Sequence, residues 1–491
     1  MDNPAANTQP KRHDPTGIDA FKPAEVAMMR AADFWEGAIQ TQISIVIDLD
    51  YGAQFFGVDY PQGSTALWDL QLLSGSNLWS VARQNLINRA SNDDERAFYQ
   101  LFPADKCPLD PQDHGELRRD GYTVKKVSFQ TRTGVRMPAN LYLPDGAGKR
   151  AAILMVHGHW KGAKQDPVVQ ARCIGAAKLG FVVLAVDAFG AGERAVGTAL
   201  GEYHGDTTAA TLLPLGLPLS GLQVYENMRA VDYLQSLPQV DGAKIGVTGA
   251  SGGGNQTMYA GAMDERFKAV VPVCSVGNYQ AYLGAACCLC EVVPGALTFT
   301  EEGAVLGLVA PRALLVVSAT KDAPQFSVDA ARKSLAFARP VFDVFRRGAA
   351  VRHAIFDSGH DYSKAMREEM YGWMALHLRG EGDGTPIPEP ALKTENPEDL
   401  RCWPGDTRPK DYVTIPRFAA AEGRRLLASH ALPDGQVNWK AWGDTRRKTL
   451  VEKTLGGFPA GGPVRFAPPV NGWGAFEPEP GALAQAAYEP V

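Results

Sequence analysis

No stretch of this 491-residue chain reaches the roughly eighteen consecutive apolar residues that a bilayer crossing needs, so the sequence predicts no membrane-spanning segment. An excess of basic charge is also missing. With 49 Lys and Arg against 54 Asp and Glu, the formal net charge of −5 gives no electrostatic footprint for a polyanion, and no nucleic-acid partner is expected. Cysteine is sparse and odd in number: seven in so long a chain do not read as a disulfide framework and point to a reducing compartment. The opening "MDNPAANTQPKRHDPTG" lacks the apolar core and small-residue cleavage site of a secretory signal. The chain as written therefore reads as cytoplasmic, or as periplasmic or secreted if a leader has been removed. No internal repeat is evident.

What remains is the composition of a globular protein, 45% hydrophobic and 21% charged, with length for one large core or two to three domains. Residues 1–19 form a polar, disordered lead-in. Residues 20–118 read as a helical N-terminal extension, on stretches such as "AEVAMMRAADFWEGAIQ". Alternation in "VKKVSFQT" and "RMPANLYLP" about "RTG" predicts a hairpin closed by Pro144.

From Ala151 the text changes to short, nearly continuous apolar runs: "AAILMVHG", "FVVLAVD", "KIGVTG", "KAVVPVCSV", "ALLVVSAT" and "RHAIFDSG". Strands buried on both faces read this way. Helical segments such as "VQARCIGAAKLG" and "VYENMRAVDYLQSL" lie between them, so residues 119–380 form an α/β unit with a mainly parallel sheet flanked by helices. Residues 381–491 then read as a Pro- and Gly-rich linker, or a loop laid on the surface, followed by a C-terminal helical tail.

"GVTGASGGGNQ" sets Ser251 in a G-x-S-x-G at a strand-to-helix turn. There a serine is forced into strained backbone, flanking glycines remove colliding side chains, and the helix N-terminus favours a developing oxyanion. The bland reading is a mobile or phosphate-binding turn. A serine nucleophile needs a base and an acid. "ALLVVSATKDAP" places Asp322 just past a strand, and "RHAIFDSGHDYS" places His360 after the next, so all three emerge at the C-terminal edge of one sheet. Asp322 could instead cap a helix, and Glu291, after the preceding strand, is an alternative acid. His353 sits at the wrong end of its strand, and His377 faces solvent or packing. Two backbone amides would form the oxyanion hole, from Gly252 and from His159 or Trp160 in "LMVHGHWKG".

A metal is not expected. His157 and His159 point to one side of an extended strand, but the text nearby offers no third ligand, and Cys287, Cys288 and Cys290 lack the spacing of a zinc site. Those cysteines read as small buried residues in "CCLCEVVPGALTFTEEG", a segment placed to line the pocket. Asp187, Glu193 and Arg194 read as a buried ion pair supporting the loops.

At "LMVHGHWKG", "FVVLAVDAFGAGER", "RAVDYLQSLPQVDGAKIGVTGASGGGNQT", "ERFKAVVPVCSV", "SATKD" and "SGHDYS" the chain resembles the α/β-hydrolase superfamily, and more narrowly its acetyl xylan esterase and dienelactone-hydrolase-like branches. The resemblance spans roughly residues 120–380. It implies an α/β-hydrolase fold and a serine esterase without cofactor, with Ser251 as nucleophile, His360 as base, Asp322 as acid, and Gly252 with His159 at the oxyanion hole. The implied partner is a small-molecule or carbohydrate ester, and a homo-oligomer is compatible with the sequence. A serine peptidase or amidase on the same fold, and a non-catalytic hydrolase-like binding protein, are the competing readings.

Overall fold

A computed structural model describes residues 54–55, 58–59, 106–196, 206–285, 288–298, 300–430, 435–455 and 457. Two units divide after Leu426. The first carries a nine-stranded sheet built from β1 (Gln112–Arg119), β2 (Tyr122–Arg132), β3 (Val135–Pro144), β4 (Arg150–Met155), β5 (Val182–Val186), β6 (Val240–Ala250), β7 (Phe267–Val273), β8 (Ala313–Lys321) and β9 (Val351–Gly359). Their order across the sheet is β9-β8-β7-β6-β4-β5-β3-β2-β1. β4 to β9 pair in parallel, while β1, β2 and β3 form an antiparallel edge joined to β5.

β4 to β8 are buried on both faces as their apolar runs predict, whereas β9 lies at the sheet edge and is only partly buried, with Ile355 exposed. In β4, Ala152 and Leu154 enter one core and Ile153 and Met155 the other; in β8, Leu314 and Val316 face one side and Leu315 and Val317 the opposite one. The first face is covered by α2 (Leu219–Ser236), α3 (Gly252–Met263) and α6 (Val328–Val344) through Val231, Leu234, Met258, Leu335 and Phe342. The second is covered by α1 (Pro167–Lys178) and α7 (Lys364–Met374) through Ile174, Met370 and Trp373. Each such Val, Leu or Ile contributes about 1.5–3 kcal/mol by burial. Asp166 starts α1 by accepting the Val168 N–H at 3.0 Å, with Pro167 in the first turn.

Two boundaries move. The sheet begins at Gln112, inside the span read as a helical extension, because "QDHGELRR" is a charged edge strand with no apolar alternation to announce it. The rest of the helical reading of residues 20–105 lies outside the described residues, apart from the short antiparallel pair Gln54–Phe55 and Val58–Asp59. The α/β unit also continues past Gly380. Residues 381–414 lie along it as a strap that buries Leu400, Cys402 and Trp403. Glu193 accepts the Cys402 and Trp403 amides at 2.9 and 2.8 Å, and Asn140 donates to the Leu400 carbonyl at 3.1 Å. Two C-terminal helices are present, α8 (Ile415–Ala428) and, in the second unit, α9 (Gly435–Thr449). No helix among the described residues is long and apolar enough to cross a membrane.

Between β7 and β8 runs an insert with α4 (Tyr279–Leu283) and α5 (Glu302–Gly307). Glu302 is buried, accepts the Gly277 amide at 3.1 Å, and is pushed up to about 8, chiefly by burial, with the charges of Glu301 and Glu291 adding to it. Its folded value exceeds the unfolded 4.5, so the native state holds an extra proton between these limits. The contribution to stability is complete below pH 4.5 and is lost as pH rises through about 8. Urea midpoints should therefore decline across that window, and Glu302→Gln should flatten the decline. An equal slope in the variant would refute the assignment.

Candidate active site

Ser251 stands between β6 and α3 with φ 58° and ψ −132°, a region that non-glycine residues avoid. Backbone contacts hold it there. A side chain on Gly249 would lie 2.5 Å from the Val156 carbonyl and one on Gly253 2.6 Å from the His157 carbonyl carbon. The turn thus presses its backbone onto the end of β4, which only glycine at the two flanking positions allows. From the other side, a side chain on Gly158 would meet the Ala250 carbonyl at 2.6 Å and Ser251 Cβ at 2.7 Å. The Ser251 amide is tied to the Val273 carbonyl at 3.0 Å.

Asp322 and His360 meet. The ring Nδ1 donates to Asp322 Oδ1 at 2.7 Å, and the same oxygen accepts the Ala323 amide at 2.7 Å. The carboxylate is fully buried while the imidazole is 37% exposed, so the pair opens toward solvent at the ring. With Nδ1 carrying the proton, Nε2 is left as a lone-pair acceptor. Phe326 stacks on the ring at 5.8 Å between centroids. Ser251 comes to the same edge at the end of β6, and no hydrogen bond joins it to His360 among the described residues. Unliganded hydrolytic sites commonly close that bond only around substrate.

The competing histidines are occupied elsewhere. His353 faces the Ser318 hydroxyl at 3.0 Å, His377 packs on Trp373 at 4.2 Å, and burial lowers both to about 4. His157 is buried: Nδ1 donates to the Gly158 carbonyl at 2.9 Å and Nε2 accepts the Ala188 amide at 3.2 Å. Burial takes it down to about 4, so it is a neutral structural residue at neutral pH.

The ion pairs differ from the sequence reading. Asp187 and Glu193 converge on Lys164, at 2.9 and 2.5 Å, whereas Arg194 forms a two-pronged pair with Glu226 and reaches only the Asp187 carbonyl. Lys164 lies far upstream of both acids in the text, so adjacent residues were paired in its place.

Near Gly252 the fold gathers residues that the text keeps apart. A side chain on Gly252 would meet His159 Cε1 at 2.7 Å and Glu291 Oε1 at 3.1 Å. His159 Nε2 lies 3.1 Å from Cys290 Sγ, Nδ1 3.9 Å from Glu291 Oε1, and the Cys288 and Cys290 sulfurs 3.5 Å apart. Tyr282 donates to Glu291 Oε2 at 2.5 Å. The partners missing from the sequence around His159 are thus supplied by the insert. Cys290 is buried in an apolar cluster against which Cys288 packs, as the sequence reading expects, and its sulfur also faces the His159 ring; Glu291 is engaged by Tyr282 and lies near His159; Cys287 lies outside the described residues. Sequence reasoning also missed Cys274, at φ 47° at the end of β7, whose sulfur lies within 4.8 Å of the facing Asp322 and His360 atoms. Burial, reinforced by Asp322, raises that thiol to about 12 and keeps it protonated.

The sheet order, the strained serine turn and the acid–base pair at adjacent strand ends define an α/β-hydrolase domain. Residues 108–281 match the family model described as acetyl xylan esterase (AXE1), a stretch that contains Ser251 but ends before Asp322 and His360. The YtaP protein of Bacillus subtilis (strain 168) is 29% identical over 163 residues, covering 32% of this chain and 52% of that protein. PA2218 of Pseudomonas aeruginosa (strain ATCC 15692) is 31% identical over 149 residues, 30% and 35% of the respective chains. The chain therefore spans about half or less of the length of these curated relatives. Among solved structures, the methylesterase BT1017 has the same fold, with a TM-score of 0.54 and 21% identity over 74% of this chain and 79% of its own.

Because Gly158 touches the serine turn directly, Gly158→Ala should displace Ser251 by a good fraction of an ångström. Labelling of the serine by a fluorophosphonate should slow by about a hundredfold, the scale of such misplacements. An unchanged labelling rate would show that this contact does not position the hydroxyl.

Proposed function

We propose that this protein is a serine carboxylic ester hydrolase acting on carbohydrate esters through an acyl-enzyme. The observation that carries the reading is the Asp322–His360 pair on strand ends beside a serine held at φ 58° on the same edge. Asp322 fixes the imidazole with its proton on Nδ1, so Nε2 takes the Ser251 proton as Oγ attacks the ester carbonyl. The oxyanion is received by the amides of Gly252 and His159, each such donor being worth about 3–4 kcal/mol of transition-state stabilisation. The alcohol departs with the proton from His360. Water, activated by the same ring, then releases the acid. Every step uses side chains and amides of this chain.

The choice of carbohydrate esters rests on the family description matched by residues 108–281. Acetyl groups on xylan are the first candidates, and methyl esters of uronic acids the second. The insert between β7 and β8 borders the site, since Tyr282 packs beside Phe326 at 6.3 Å and Phe326 stacks on the His360 ring.

Acetate release from acetylated xylan and from p-nitrophenyl acetate should be measurable. Ser251→Ala should lower kcat by at least about 10³-fold with the fold intact. Activity near wild type in that variant would overturn the mechanism. Asp322→Asn should lower kcat about 10⁴-fold with little change in KM, because the ring loses the partner that sets its tautomer. If Glu291→Gln produced that loss while Asp322→Asn did not, the acid would be Glu291.

A further inference from the structure

We propose that His159, Cys288, Cys290 and Glu291 form a structural zinc site that fastens the β7–β8 insert to the loop after β4. One ligand atom from each of the four lies within 4.8 Å of those of the other three. Zinc bonds of about 2.3 Å to sulfur and 2.0–2.1 Å to nitrogen place tetrahedral ligand atoms roughly 3.3–3.8 Å from one another. The 3.1 Å between His159 Nε2 and Cys290 Sγ and the 3.5 Å between the two sulfurs are already on that scale. Closing the Glu291 side requires a contraction of at most about 1.5 Å on the same geometry.

The donor chemistry selects the ion. Two thiolates, an imidazole and a carboxylate suit zinc, whereas magnesium and calcium require an oxygen shell. On binding, each cysteine forms a bond to the metal and gives its thiol proton to solvent. Two protons are released, no electron moves, and the completed site carries one net negative charge.

The surroundings fit such a site. Tyr282 donates to Glu291 Oε2 and so turns Oε1 toward His159, the kind of outer hydrogen bond that orients a metal-bound carboxylate. Gly252 leaves the space that a side chain would take from His159 and Glu291. Four protein ligands close the coordination sphere, so the ion holds structure and takes no substrate. Its structural effect would be to set the position of His159, whose amide faces the ester oxyanion in the mechanism above, while the site itself stands independently of that mechanism.

The test uses the full chain, reduced and freed of metal by a chelator, then titrated with cobalt(II). One equivalent should give the intense visible bands of tetrahedral cobalt with thiolate-to-metal charge transfer and release about two protons per chain, and zinc should then displace the cobalt with no further proton release. Cys288→Ser and Cys290→Ser should each weaken binding at least tenfold. Tyr282→Phe should weaken it by about 10–100-fold without changing stoichiometry. Ser251→Ala should bind cobalt as wild type does, so metal binding and ester hydrolysis can fail separately. The proposal is overturned if wild-type protein shows no charge-transfer band, or if the double variant Cys288→Ser/Cys290→Ser retains it. A disulfide between Cys288 and Cys290 that persists in reductant and leaves zinc without effect on thermal stability would overturn it as well.

Discussion

The backbone at Ser251 cannot hold its own conformation. A non-glycine residue at φ 58° and ψ −132° is disfavoured by about 1–3 kcal/mol, and it persists only where its surroundings leave no alternative. Here three glycines let the turn sink against the end of β4: Gly249 over Val156, Gly253 over His157, and Gly158 under Ser251 itself. The parallel sheet supplies the force, because β4 and β6 are paired from Ala152 with Ile245 through Met155 with Thr248. Buried apolar strands therefore act at a distance on one hydroxyl. Loosening that pairing would let the serine relax into ordinary backbone and point elsewhere.

A second constraint is electrostatic and lies behind the first. Lys164 is completely buried, and burial opposes its charge, but the carboxylates of Asp187 and Glu193 more than offset this and raise its pKa. A buried pair of this kind contributes little net stability while it is intact; removing one partner leaves an uncompensated charge. Glu193 also receives two amides of the C-terminal strap. The charge cluster behind the β5 loop thus binds residues 402 and 403 to the hydrolase sheet, which is why the unit cannot end at Gly380.

Whatever depends on burial of whole strands was legible in the text. β4 to β8 carry their continuous apolar runs because alternate residues meet different cores, whereas β9, at the sheet edge, is buried only at Val351; the placement of Ser251, Asp322 and His360 at strand ends followed from those runs. β1 was not legible, since an edge strand exposed at all but His114 and Leu117 has no apolar alternation to show. The strap was not, because its attachment rests on backbone amides and on one distant carboxylate. Lys164 was passed over for the same reason: nothing local links it to Asp187 and Glu193. The grouping of His159 with Cys288, Cys290 and Glu291 is a product of the insert folding back across the sheet edge, and no spacing rule reaches over such a loop.

Two carboxylates border the serine, and their surroundings divide the work between them. Asp322 leaves β8 directly, so its oxygen is aimed by the strand and by the Ala323 amide at His360 Nδ1. Glu291 sits in a buried three-residue turn of the insert, where the Tyr282 hydroxyl meets one oxygen and the His159 ring lies near the other. A general base must keep one tautomer through both halves of an acyl transfer. In the proposed mechanism that demand falls to a partner rooted in the sheet rather than to one rooted in the insert. The insert reaches the His360 ring only through Tyr282 beside Phe326, so a change there would bear on ring packing and not on the bond to Asp322.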